Sequence, residues 1–252
     1  FLNMSYQAQI FTIIIFGLAL GSFGNVLLYR IPKGESIKGR SKCCICNKIL
    51  GCLELIPVFS FLFQGGKCKK CKTKISCRYP AIEILTAIIF VATFITNQTL
   101  EIVPLIFLIL SIYMLLMIAL YDAATQKIPD VFTAALFIFA LIFQITKIGI
   151  PNLNLAKDIL YGMLVPIIFF GGMWTFSRGR WIGSGDIFLG GAIGALLGFQ
   201  GTLISLFFAY TIGAVVALAL IISGKAKRGA VIAFGPFLCV GAMIVIFIGS
   251  KL

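Results

Sequence analysis

Two aspartates combine placement and surroundings that could do chemistry. Asp122 closes a long apolar run in "MIALYDAATQKIPD", and Asp186 opens another in "RWIGSGDIFLGG". An ionisable group at membrane depth costs about 2.5–3.5 kcal/mol on insertion scales, so such a residue is a functional candidate by default. Two carboxylates brought together in a low-dielectric site share a proton and divide the roles of base and acid on a water molecule. That is the chemistry of an aspartic hydrolase. The chain has no histidine, which removes Ser-His-Asp and Cys-His nucleophiles and every His-ligated catalytic metal.

The remaining acids are Glu35, Glu54, Glu83, Glu101, Asp130 and Asp158. Asp130 is the rival partner for Asp186. It follows Pro129 in "KIPDVF", however, which is a helix-start signal, with the carboxylate complementing the helix dipole. Asp158 in "LAKDIL" reads as a helix start by the same logic. Gly183 and Gly185 of "GSGD" tolerate unusual backbone angles and leave room for an extended peptide beside Asp186.

A second constellation is made of thiols. "KCCICNK" and "GKCKKCK" supply Cys43-x-x-Cys46 and Cys68-x-x-Cys71, two knuckles that together offer four thiolates to a tetrahedral ion. Zinc is the expected metal, against redox thiols or unligated cysteines. A cytoplasmic loop disfavours disulfides, Lys67, Lys69, Lys70 and Lys72 favour thiolates, and a short polar insertion needs a staple. Cys44 blurs the register because the first knuckle holds three thiols where two are needed. Cys52 and Cys77 read as peripheral, and Cys239 as a small core residue.

The elements that must position these groups are membrane helices. Only 12% of residues are charged and 60% are hydrophobic, far from a soluble domain. Eight spans are expected, at Gln7–Tyr29, Tyr79–Thr96, Ile102–Tyr121, Val131–Thr146, Ile159–Phe176, Ile187–Gly198, Thr202–Ile222 and Ala230–Gly249. The first lacks a charged n-region and reads as a retained helix rather than a signal peptide. The fold class is therefore an all-α polytopic membrane bundle. It divides into a first helix (1–29), a cytoplasmic Cys-rich insertion (30–78) and a seven-helix membrane domain (79–252). No repeat of 20 to 50 residues is visible. Small residues recur at helix-face spacing, Gly17 and Gly21 in one span and Gly190, Gly194 and Gly198 in another, as close helix packing in lipid requires.

The net charge of +13 does not read as nucleic-acid binding. With the N-terminus outside, 18 of the 21 Lys and Arg fall on the inner side: 12 between Arg30 and Arg78, then Lys127, Arg178, Arg180, Lys225, Lys227 and Arg228. Lys147, Lys157 and Lys251 fall on the outer one. That asymmetry sets topology and favours anionic lipid, and it brings Asp122 and Asp186 to one inner face.

Taken together, "GSFGNVLLYRIP", the two knuckles around "LELIPVFSFL", "CRYPAIEI", "DAATQKIPD", "GSGD" and "FGPFL" resemble the type IV prepilin peptidases, bifunctional prepilin leader peptidase/N-methyltransferases of the bacterial inner membrane. The resemblance covers nearly the whole chain. It implies cleavage of type IV prepilin, pseudopilin or competence pilin precursors after a glycine at the cytoplasmic face, by Asp122 and Asp186. It also implies N-methylation of the new N-terminus with S-adenosylmethionine, and a metal at Cys43, Cys46, Cys68 and Cys71. Cys44 stands where the family commonly has proline. Methyl transfer has no independent sequence signal, since the loop carries no glycine-rich nucleotide fingerprint. Its candidate residues, from family-like segments, are Glu54, Gly66, Lys67, Arg78 and Glu83. Two rivals stand beside this reading: a presenilin or signal-peptide-peptidase type of GxGD protease, and a proton-coupled transporter using the aspartates as a relay.

Overall fold

The computed structural model describes residues 5–148, 153–224 and 232–248. Phe1, the charges Lys225, Lys227, Arg228 and Lys251, and both ends of the expected last span, Ala230 and Gly249, lie outside the described residues. The described chain is helical: α1 (Tyr6–Arg30), a short α2 (Phe59–Phe63), α3 (Arg78–Thr96), α4 (Ile102–Thr125), α5 (Asp130–Ile148), α6 (Leu153–Ser177), α7 (Ser184–Ile222) and α8 (Gly235–Ile248). Two isolated antiparallel bridges are the only sheet-like pairing among the described residues. All but α2 and α8 are long and apolar enough to cross a membrane. Residues 1–95 and 96–252 form two compact units.

In the first unit, α1 and α3 approach through glycine. A Cβ added at Gly17 would lie 2.6 Å from the Ala87 Cα, and one at Gly21 would lie 2.7 Å from the Glu83 Cα. With the backbones this close, Asn25 reaches across and donates from Nδ2 to the Tyr79 carbonyl at 3.1 Å. The insertion between them is organised at its start by Arg30. Its guanidinium donates to the carbonyls of Ser36, Ile37, Lys38 and Arg40 at 3.1–3.2 Å, a use of the rigid five-donor fork that lysine could not copy.

In the second unit the expected sixth and seventh spans appear as one helix, α7, of 39 residues. Straight, it would be about 58 Å long, roughly twice a hydrocarbon core. It is not straight. Gly198 has φ 68° and ψ −174° inside it, and the neighbours show a reversal. One level of α6 meets both arms: Pro166 packs on Gly190, and Phe169 stacks edge-on with Tyr210 at 5.9 Å. Gly190 precedes the break and Tyr210 follows it. α7 is therefore a helical hairpin, and the two expected spans are its arms.

Breaking a helix strands backbone groups that need partners. Three are supplied here. Gln144 of α5 donates to the Leu196 carbonyl at 2.7 Å, Thr202 donates to the Gly198 carbonyl at 2.6 Å, and the Phe199 N–H donates to Asp158 of α6 at 3.0 Å. Asp158 thus departs from its expected role. α6 begins at Leu153, several residues before the expected Ile159, and Asp158 caps the second arm of α7 rather than starting its own helix.

The glycine row packs against α6. A Cβ at Gly194 would collide with the Gly162 carbonyl oxygen. Pro166, four residues on, has no N–H to offer that carbonyl.

Candidate active site

Asp122 and Asp186 are placed by opposite ends of two helices. α4 continues to Thr125, past its expected end at Tyr121, and closes when Gln126 takes a left-handed conformation (φ 55°) and donates its N–H to the Asp122 carbonyl at 2.8 Å. Asp122 therefore lies in the last regular turn, 4% exposed. Asp186 lies in the first turn of α7 in a reciprocal cap with Gly183. The Asp186 N–H donates to the Gly183 carbonyl, and the Gly183 N–H donates to Asp186 Oδ2, both at 3.2 Å. The other oxygen, Oδ1, is buried with no hydrogen-bond partner among the described residues.

The two carboxylates interact electrostatically across the unit's core, and Cys239 of α8 lies within range of both. Tyr210, on the second arm of α7, interacts with Asp186. Glycine again sets the spacing. A Cβ at Gly235 would come within 2.5 Å of Asp122 Oδ2, and one at Gly185 within 3.0 Å of the Ile128 Cβ. Ile128 also faces Gly235, at 3.3 Å from such a Cβ, so it wedges between the "GSGD" loop and the start of α8. Gly235, Ile128, Tyr210 and Cys239 carried no functional assignment in the sequence. The "FGPFL" segment around Gly235 was the one available signal. Asp130, the rival partner, starts α5 after Pro129 and is exposed.

The arrangement gives two buried carboxylates within electrostatic range of one another, each held by a backbone N–H, with Asp186 presenting a bare oxygen. Such a pair can take a proton from water and give one to a carbonyl.

The cysteines form a separate site in the first unit. The Sγ atoms of Cys43, Cys46, Cys68 and Cys71 lie within 4.8 Å of one another, with Cys43–Cys71 at 3.8 Å and Cys46–Cys68 at 4.0 Å. A tetrahedron with Zn–S bonds of about 2.3 Å has edges of about 3.8 Å, so four thiolates at these distances fit zinc. Cys44 is exposed and outside the quartet. The thiols are unequal. Cys71 is lowered to about 6, chiefly by the Thr73 hydroxyl and backbone, and Cys43 is lowered by the Cys46 and Ile45 amides. Against the Lys48 amide, which favours its thiolate, burial and the three neighbouring sulfurs push Cys46 up to about 11. A cluster with early and late thiols holds all four as thiolates only around a cation.

The knuckles also repeat. Cys43 and Cys68 each donate N–H to a carbonyl five residues on, at 2.9 Å, and accept from the N–H of Asn47 and Lys72. Those two residues are left-handed (φ 52° and 58°), and bridges Lys42–Ile49 and Lys67–Lys74 close each turn. The two turns are superposable motifs 25 residues apart, a repeat not visible in the sequence because little beyond lysine and cysteine is shared.

Of the remaining candidates, Glu54 and Glu83 line a cavity of about 440 Å³ within the first unit, while Gly66, Lys67 and Arg78 are not among its walls. Glu54 accepts from Lys48 Nζ at 2.8 Å and from the Gly51 N–H at 2.9 Å. The amide first and the ammonium second hold its carboxyl below the usual range. Glu83, 7% exposed, accepts from the Val58 N–H at 2.7 Å. Gly66 makes a left-handed turn against Phe61, Lys67 pairs its backbone with Lys74, and Arg78 begins α3.

Comparison with known proteins finds matches across both units. Residues 15–97 match the Bacterial Peptidase A24 N-terminal domain, and residues 109–218 match the Type IV leader peptidase family. The chain is 34% identical over 240 residues to a prepilin leader peptidase/N-methyltransferase of Bacillus subtilis (strain 168), covering 94% of each chain. A protein of the same name from Legionella pneumophila is 29% identical over 265 residues, covering 94% of this chain and 91% of that one. One from Klebsiella pneumoniae is 33% identical over 195 residues, covering 73% and 83%. No solved structure matches the chain.

Proposed function

This chain belongs to the type IV leader peptidase family, and from that premise we propose that Asp122 and Asp186 form the catalytic pair of an aspartic endopeptidase. It removes the leader of type IV prepilin, pseudopilin or competence pilin precursors after a glycine, at the cytoplasmic face of a bacterial inner membrane, and then N-methylates the exposed residue with S-adenosylmethionine. The basic-residue distribution supports an outer N-terminus with the cysteine loop and both aspartates inside.

The observation that carries the reading is the buried carboxylate pair with Asp186 Oδ1 unpartnered. With one proton on the pair, the ionised carboxylate takes a proton from water as its oxygen attacks the scissile carbonyl. The protonated carboxylic acid gives its proton to the carbonyl oxygen. Collapse of the tetrahedral adduct breaks the C–N bond while the amine takes a proton from the pair. Gly183 and Gly185 hold the loop that presents Asp186, and a peptide can lie along it. Zinc at Cys43, Cys46, Cys68 and Cys71 would fold the insertion and take no part in hydrolysis.

The test uses purified full-length protein, a synthetic prepilin with its hydrophobic helix, and the variants Asp122→Asn and Asp186→Asn. Each is expected to lose leader removal by at least about 10²-fold, the scale of general acid–base catalysis, with unchanged helicity. Retained cleavage in either variant rejects the pair.

A further inference from the structure

The short helix α2 is built inside out. Ser60 and Gln64, one turn apart, line the cavity between α1, α3 and the cysteine loop. Phe59, Leu62 and Phe63 are exposed instead, Phe63 by 87%. Leu53, Leu55 and Ile56 just before the helix are exposed as well. Single exposed apolar side chains are ordinary, but six within eleven consecutive residues of a loop mark an interaction surface.

The inversion is set by the backbone. The chain enters α2 through a γ-turn, in which the Phe59 N–H donates to the Pro57 carbonyl at 2.6 Å and Val58 takes φ 62° and ψ −53°. This is the rare, strained form of that turn, and a β-branched residue keeps it only where its neighbours over-determine it. Glu83 is the neighbour that does so, accepting the Val58 N–H at 2.7 Å.

That bond also fixes depth. Glu83 stands five residues into α3, and its Cα faces Gly21 of α1, nine residues, or about 13 Å, before α1 ends at Arg30. α1 is about 37 Å long against a hydrocarbon core of about 30 Å, so the Glu83 Cα lies inside the hydrocarbon edge even with all the excess length on the loop side. The start of α2, hydrogen-bonded to that residue, is therefore at the membrane boundary and not out in water. Charge completes the pattern. Residues 55–66 carry none, and Lys67, Lys69, Lys70, Lys72 and Lys74 follow, all exposed. An apolar wedge beside clustered lysines is complementary to acyl chains beneath anionic headgroups.

We propose that residues 53–63 lie in the membrane interface, with Phe59, Leu62 and Phe63 among the upper acyl chains and the five lysines on anionic lipid headgroups. The cysteine loop then has a third attachment to the membrane besides α1 and α3, hinged at the hydrogen bond between Val58 and Glu83.

The test introduces Phe63→Trp and, separately, Leu62→Trp into the full-length protein, each checked for wild-type thermal unfolding. The proteins are placed, one copy per disc, in nanodiscs of phosphatidylglycerol and phosphatidylcholine brominated near the top of the acyl chains. The wild-type signal from Trp174 and Trp181 is subtracted. Both new indoles are expected to be quenched at least twofold relative to unbrominated lipid, with no precursor present. Absence of quenching at both positions overturns the interfacial seating. Discs of phosphatidylcholine alone, and the double variant Lys69→Gln/Lys70→Gln, are expected to show weaker quenching; equal quenching overturns the part given to the lysines. Indoles that become sheltered only when a precursor with its hydrophobic helix is added, or only in discs holding two copies, overturn lipid as the occupant and give the face to that helix or to the second copy.

Discussion

The carboxylate of Asp158 on α6 accepts the N–H of Phe199 at 3.0 Å, on the face of Gly198 where a Cβ would collide with that carboxylate. One side chain thus caps the second arm of α7 and occupies the space that glycine leaves. Gly198→Ala should cost at least about 2 kcal/mol, from the left-handed conformation and the collision together. Asp158→Ala should cost about 1 kcal/mol, as loss of a cap does. Unfolding in mixed micelles checks both, and equal stability of Gly198→Ala and wild type would remove the hairpin as described.

Gly235 and Gly185 hold the aspartates by leaving room beside them, and the Gly235 backbone also hydrogen-bonds to Asp122. Gly235→Ala pushes directly on Asp122 Oδ2, and Gly185→Ala pushes on Ile128. A displacement near 1 Å at a reacting group costs about 10²-fold in rate. Cleavage of prepilin should fall by that order in Gly235→Ala with the melting temperature little changed. Gly185→Ala should fall less, because the Ile128 side chain can shift where a carboxylate in a buried pair cannot.

Metal content separates the cysteines. Cys43→Ser and Cys68→Ser should each lower bound zinc well below one per chain, while Cys44→Ser should leave it at one. Unchanged zinc in the first two would sink the four-thiolate site.

The same cluster sets a pH window. Cys71, lowered to about 6, is a thiolate above that pH and a thiol below it. Protons compete with the metal for sulfur, so zinc should stay bound at pH 7 to 8 and its affinity should fall on acidification, with release only below the pH at which the metal-free Cys71 takes up its proton, because the bound cation itself favours the thiolates. Release followed with a chromogenic chelator measures it. An affinity for zinc that is independent of pH on acidification would mean that thiolates do not hold the ion.

Arg30 binds four carbonyls of one loop. Arg30→Lys keeps the charge and loses the fork, so amide exchange at residues 36–40 should accelerate at least tenfold while exchange in α3 is unchanged.

The candidate site residues were more legible than the architecture. Asp122, Asp186 and the four cysteines announce themselves by residue type, because few positions in an apolar chain can ionise or bind a metal. Gly198 did not, since at four-residue spacing from Gly190 and Gly194 it looks like another packing glycine. Only its partners on other helices, Gln144 and Asp158, make a break there affordable, and sequence-local patterns carry no information about them. Asp158 was read as a local cap for the same reason, and it caps a helix 41 residues away. Gly235 and Ile128 were illegible because their role is the absence or placement of bulk beside a carboxylate, which leaves no mark in residue chemistry.

The hairpin also works as a lever. Asp186 lies twelve residues before Gly198, about 18 Å along the helix. A swing of about 5° at the bend would carry the Asp186 end through about 1.6 Å, beyond the roughly 0.5 Å tolerance of a working site. The three hydrogen bonds clamping Leu196, Gly198 and Phe199 therefore govern the alignment of the carboxylates from the far end of the helix, and loosening any of them would detune catalysis without a mutation anywhere near the aspartates.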